Sequence, residues 1–202
     1  MKIEIRADCI IVEGYVNAVG RDSRVLPSAK GKFIEQVEPK TFERAISNND
    51  DVILKHNHKR VIGSTKDNLA LHEDNIGLYA TATVTDEDVR AKAVAGELRG
   101  WSFGFEKRAD IWEDTSKGIP RRTLTEIKLN EVSIIDSSMT PCYTGTSIEV
   151  RGEEDIICEV RSFEDGIEII DNSENRADGK EPIDYSNTEK EIEILKLRQP
   201  KN

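Results

Sequence analysis

Aromatic side chains are scarce in this chain: Phe, Tyr and Trp make up 5% of its 202 residues. Any local cluster of rings therefore marks a place where the fold is anchored. Histidine is scarcer still, and all three (His56, His58 and His72) fall in the first half. Cysteine is limited to Cys9, Cys142 and Cys158, an odd number, far apart and outside any CxxC spacing. Such thiols are expected to be reduced and structural, as in an intracellular protein. No run of apolar residues approaches the length of a membrane span. The first residues, Met-Lys-Ile-Glu-Ile-Arg-Ala-Asp, are charged where a secretion signal needs an apolar stretch. Basic charge is also in deficit, with 29 Lys+Arg against 39 Asp+Glu and a net charge of −10. An acidic chain without a basic stripe argues against nucleic acid as a partner. There is no internal repeat.

The acidity is unevenly spread. Residues 151–202 hold 15 Asp/Glu and 8 Lys/Arg, leaving 24 and 21 for residues 1–150. The first 150 residues thus have the balance of a core-forming domain. Residues 151–202 form a separate acidic segment, expected to be weakly ordered and of the kind that folds on a partner.

Periodicity within 1–150 predicts many strands and two short helices, an α+β, mainly β class. Ile3, Ile5, Ile10, Val12, Tyr15 and Val16 mark one long strand or a pair over 2–19, with a bulge or bend at Gly14. Residues 20–32 lack periodicity and are expected to be a loop. A helix is predicted from Pro39 to Ile46, with Pro in the first turn and Asn48-Asn49 ending it. Val52–His56 is a strand with Val52, Leu54 and His56 on one face; Asn57–Arg60 turn the chain, and Val61–Gly63 resume it. Strands follow at 68–71 and 77–85. Thr85-Asp-Glu-Asp opens the second helix with a cap and an acidic first turn, and Gly100 is expected to close it. Further strands are predicted at 109–112, 121–129 and 130–136, the last with Glu131, Ser133 and Ile135 on one face. Ile167–Ile170 and Ile192–Leu195 could pair or form a short helix.

The rings gather in Gly100-Trp-Ser-Phe-Gly-Phe105. As a strand, this puts Trp101, Phe103 and Phe105 on one face and Ser102 and Gly104 on the other. The aromatic face would be core. The Ser102 hydroxyl would then be held rigidly beside a glycine, uncovered and within reach of a substrate. Gly-x-Ser-x-Gly also matches the nucleophile elbow of the α/β-hydrolases, whose histidine follows the serine. Every histidine here precedes Ser102, so that reading fails. The remaining order is His56 or His58, then Ser102, then an acid, for which Glu131 is the candidate. Two histidines at i and i+2 of a strand could also hold zinc, but no further Cys or His stands at ligand spacing. No metal or cofactor is expected.

Five segments in one order carry a resemblance. Val-Ile-Leu-Lys-His56, Arg60-Val-Ile-Gly63-Ser-Thr, Glu73-Asp74-Asn-Ile-Gly77-Leu78, Gly100-Trp-Ser102-Phe-Gly104-Phe105 and Leu129-Asn-Glu131-Val-Ser133-Ile together resemble the tailed-phage prohead maturation proteases. The resemblance spans roughly residues 10–145. That family is in turn similar to the herpesvirus assemblins, which implies a β-barrel flanked by short helices and the order histidine, serine, histidine. Here the third position is Glu131. The resemblance implies a serine endopeptidase with His56, Ser102 and Glu131 as triad; the histidine-to-glycine spacing favours His56, and aligning the family's Asn-His pair gives His58 instead. Implied substrates are the scaffold, or the scaffold-like leading segment of the major capsid protein, and the protease itself. The implied setting is the immature capsid in the host cytoplasm, with a homodimer as the expected state and neither nucleic acid nor membrane as partner. The competing class is a non-catalytic, β-rich capsid assembly or scaffold-associated protein.

Overall fold

The computed structural model describes residues 1–28, 31–116, 118–138, 148–150, 157–163 and 166–173. Its first compact unit runs from Met1 to Asn172. The second, 173–202, lies almost wholly outside the described residues, and with it the segment 192–195.

Alternating burial builds the first sheet. Strands β1 (Lys2–Ile5) and β2 (Ile10–Ala18) bury every second side chain, among them Ile3, Ile10, Val12 and Val16. Strand β8 (Gly77–Val84) pairs antiparallel with β2 and carries β7 (Leu69–Glu73) on its outer edge. The register slips between Tyr15 and Asn17, so the irregularity falls just after Gly14. Strand β13 (Glu168–Asp171) runs parallel to β1, giving the order β13-β1-β2-β8-β7. Ile167-Glu-Ile-Ile thus pairs as a strand over its last three residues.

The second sheet is organised on two strands of 16 residues, β9 (Leu98–Glu113) and β10 (Arg121–Asp136), antiparallel along nearly their whole length. Each joins stretches expected as separate strands. Strand β12 (Ile157–Phe163) flanks β9 and carries β11 (Ile148–Val150).

The other edge of β10 is shared. Its first residues pair in parallel with β4 (Gly31–Val37), and its last with β5 (Ile53–His56). Helix α1 (Thr41–Ser47) links those two strands, and Phe42 meets Phe103 edge-on at 5.3 Å. Strand β6 (Arg60–Ser64) pairs with β5, and β3 (Leu26–Ser28) with β4.

The closed β-barrel implied by the resemblance is not found. Among the described residues both sheets are open, one ending on β13 and β7 and the other on β11 and β3. With two strands sharing one edge of β10, that sheet forks instead of closing.

The stretch 20–32, expected as a loop, contains β3, and β4 follows at once. Strand β4 points Phe33, Glu35 and Val37 inward. The buried Glu35 broke the apolar alternation; it is held by the Arg122 guanidinium, which also stacks over Phe33 at 4.9 Å. Helix α2 (Glu87–Val94) is capped by Asp86, whose carboxylate accepts from the Val89 N–H at 3.0 Å. It stops before Gly96, at φ +67°, and Gly100 lies inside β9, correcting the expected closing glycine. Among the described residues no helix is long and apolar enough to cross a membrane.

Candidate active site

Register decides which side chains can meet. Across β9 and β10, Trp101 pairs with Ile134, Phe103 with Val132, Ser102 with Ser133, and Gly104 with Glu131. Directly opposed residues share a face. The rings of Trp101, Phe103 and Phe105 lie with Val132 and Ile134 in the core, all at most 1% exposed. Ser102, Gly104, Glu131 and Ser133 form the other face.

A bulge makes this possible. Asn130 is one extra residue between the pairs Leu129–Phe105 and Glu131–Gly104. Leu129 therefore points into the core, and Glu131, two residues on, points to the opposite face.

Strand β5 extends the same logic. Lys55 pairs with Ser133 and faces the Ser102 side; His56 pairs with Ile134 and faces the other. His56 is thus separated from Ser102 by the sheet. Its Nε2 lies 3.0 Å from the buried carboxylate of Asp136, and its Nδ1 lies 3.3 Å from the Arg60 guanidinium. A guanidinium only donates, so Nδ1 accepts and the neutral ring donates Nε2–H to Asp136. Both ring nitrogens of His56 are therefore engaged.

His58 reaches the Ser102 side because β5 ends in a tight turn. Asn57 and His58 both have positive φ, +52° and +60°, and the Lys59 N–H donates to the His56 carbonyl at 3.1 Å. Asn57 and His58 are the two central residues of a β-turn of type I′ sign, inside the three-residue connection between the paired His56 and Arg60, in a conformation that Asn and His tolerate better than most residues. The turn is pinned to the end of β10: the Asn57 N–H donates to the Ile134 carbonyl at 2.9 Å, and the Asp136 N–H to the Asn57 side-chain oxygen at 3.0 Å. The His58 ring then lies with Nδ1 2.5 Å from Glu131 Oε1.

Glu131 is only 7% exposed. Its carboxylate fits because position 104 is glycine: a Cβ there would stand 2.8 Å from Glu131 Cγ and 3.0 Å from Oε1. The second carboxylate oxygen is met by the Lys55 ammonium. Burial alone would raise the Glu131 pKa, but the hydrogen bonds from His58 and Lys55 outweigh it and hold the group below its ordinary value. An ionised Glu131 fixes the proton of neutral His58 on Nδ1 and leaves the lone pair on Nε2. That Nε2 is buried and has no partner among the described residues; the same is true of Ser102 Oγ and Ser133 Oγ. Buried polar atoms are rarely left unpaired, and this face carries three of them among the described residues.

The structure therefore brings Glu131 together with His58 and Lys55, on the face that holds Ser102, and places His56 elsewhere. Ser102 itself is 1% exposed, where the sequence reading had left it uncovered. The two histidines do not converge on one face as a zinc pair would, because the strand ends at His56 and the turn intervenes. His72 is exposed, with its ring 5.3 Å from that of Tyr79.

Asp136 gives the fold an acid-sensitive anchor. Burial favours its neutral form, but Ser138, Asn57 and Lys92 together hold its pKa well below the ordinary carboxylate range. A group with a depressed folded pKa adds stability above its unfolded pKa, about 3.9 for Asp, and loses it as pH falls toward the folded value. Asp136→Asn is expected to lower the denaturation midpoint at pH 7 and to flatten its fall between about pH 4 and pH 2. Denaturant titrations of both proteins across that range check this.

No curated protein and no solved structure matches the chain. The family model described as Caudovirus prohead serine protease matches residues 1–156, which take in β1–β11, the hairpin of His58 and the whole Ser102–Glu131 face. The chain therefore belongs to the caudovirus prohead serine proteases.

Proposed function

We propose that this chain is a serine endopeptidase in which Ser102 is the nucleophile, His58 its general base and Glu131 the acid that orients His58. The observation that carries this assignment is the His58–Glu131 hydrogen bond on the Ser102 face, with Nε2 and Ser102 Oγ both buried and unpartnered. Ser102 Oγ attacks the peptide carbonyl carbon as its proton passes to His58 Nε2, and the carbonyl electron pair moves onto oxygen. Collapse of that adduct breaks the C–N bond, with His58 returning the proton to the leaving amine. Water, deprotonated by the same nitrogen, then hydrolyses the acyl-enzyme. Glu131 stabilises the imidazolium in both half-reactions, and Lys55 keeps that carboxylate charged.

Family membership points to a role in capsid maturation. The substrates we propose are the scaffold or the scaffold-like leading segment of the major capsid protein, and the chain itself. Cleavage would take place inside the immature capsid in the host cytoplasm, by a homodimer. Cleavage by the wild-type chain, and none by Ser102→Ala, is the expected outcome when each is expressed with the capsid protein.

A further inference from the structure

The mechanism needs a donor for the oxyanion, and the strand amides around Ser102 are committed elsewhere. From Trp101 to Glu106, β9 lies between β10 and β12. From Glu131 to Ile134, β10 lies between β9 and β5. Amides in such interior strands are consumed by the two ladders. This applies to the amides of Ser102 and Gly104. The loop at 118–122 is no nearer: Arg121 and Arg122 pair with Glu113 and Trp112 at the far end of the ladder.

One hydroxyl is free on the correct face. Ser133 is 0% exposed, directly opposite Ser102 in register, and its Oγ has no hydrogen-bond partner among the described residues. Opposed residues have Cβ atoms about 4.5–5.5 Å apart, yet no hydrogen bond joins the two serines. In the mechanism the Ser102 proton goes to His58 Nε2, which leaves the Ser133 O–H as a buried donor on the same face with no acceptor among the described residues. We propose that Ser133 is a further catalytic residue, its O–H donating to the oxygen that becomes negative when Ser102 adds to the carbonyl. The inference rests on Ser102 being the nucleophile, as assigned above.

A fluorophosphonate probe tests both together and tells them apart. Its reaction joins Ser102 Oγ to phosphorus, expels fluoride and sends the hydroxyl proton to His58, leaving a phosphoryl oxygen where the oxyanion would be. The full chain, Ser133→Ala, Ser133→Thr and Ser102→Ala are treated with the probe; labelling rate is followed by intact mass and the site by peptide mapping. Ser133→Ala is expected to label about 10²–10³-fold more slowly, as for loss of one oxyanion donor, with its denaturation midpoint unchanged. Ser133→Thr, which keeps the hydroxyl, is expected to recover most of the rate. Labelling of Ser133→Ala at the wild-type rate would overturn the role of Ser133 and leave Ser102 in place. Absence of label on Ser102 in the wild-type chain would remove the nucleophile, and the Ser133 proposal with it.

Discussion

His58→Gln lowers kcat/KM for peptide cleavage by about 10²–10⁴-fold, the range spanned by general-base catalysis, while His56→Gln leaves most of the activity. Glutamine is the informative replacement at both positions because its amide can donate as each ring does but cannot take up a proton. At position 58 it can still donate to Glu131, so the turn and the carboxylate keep their partner and only the base is lost. At position 56 it can donate to Asp136 and accept from Arg60, so its cost falls on stability, about 0.5–1.5 kcal/mol for an imperfectly replaced hydrogen bond. Steady-state kinetics on a fragment of the capsid protein, with denaturant titrations beside them, separate the two effects. A large loss of kcat in His56→Gln with normal stability, and none in His58→Gln, would return the base to the position that family spacing favours. The Ser102 face would then have to be rebuilt in the active state.

Gly104→Ala is expected to cost as much activity as Glu131→Gln, about 10²–10⁴-fold in kcat. The reason is steric: the added Cβ would stand 2.8 Å from Glu131 Cγ and 3.0 Å from its Oε1. Three bonded atoms of the Glu131 side chain lie against the site of that Cβ, so the carboxylate must leave the glycine, and His58 loses the partner that fixes its tautomer. Overpacking of this kind costs about 1–3 kcal/mol of stability, too little to unfold a typical domain. Since both substitutions disable one interaction, the double variant Gly104→Ala/Glu131→Gln should be barely worse than either single one. Additive losses would mean that Gly104 serves the reaction in another way.

Much of this was legible in the residues. The alternation of Trp101, Phe103 and Phe105 against Ser102 and Gly104 gives the two faces of β9, and Glu131 shares a face with Ser133 as its strand pattern predicts. What could not be read was register between strands. Val52, Leu54 and His56 do lie on one face, but only pairing with β10 makes it the face away from Ser102. The nearest sequence signal for His58 was Asn57, a residue suited to positive φ, which marks the turn carrying the chain to the other side. The bulge at Asn130 hid the continuity of β10 by putting Leu129 and Glu131, two residues apart, on opposite faces of the sheet. Glu35 concealed β4 because its charge is balanced by Arg122, 87 residues away. Lys55 reads as an ordinary strand lysine until the ladder sets it beside Glu131.

The most direct test of the central claim, that Ser102 is a peptidase nucleophile, is intact mass of the purified chain beside Ser102→Ala. Each is expressed with and without the capsid protein. The expected result is truncation of the capsid protein, or of the chain itself, in the wild-type samples alone. Identical uncut masses for the two proteins in every sample would contradict a working protease and favour a non-catalytic assembly protein. Cleavage by both would assign the cutting to a group other than Ser102.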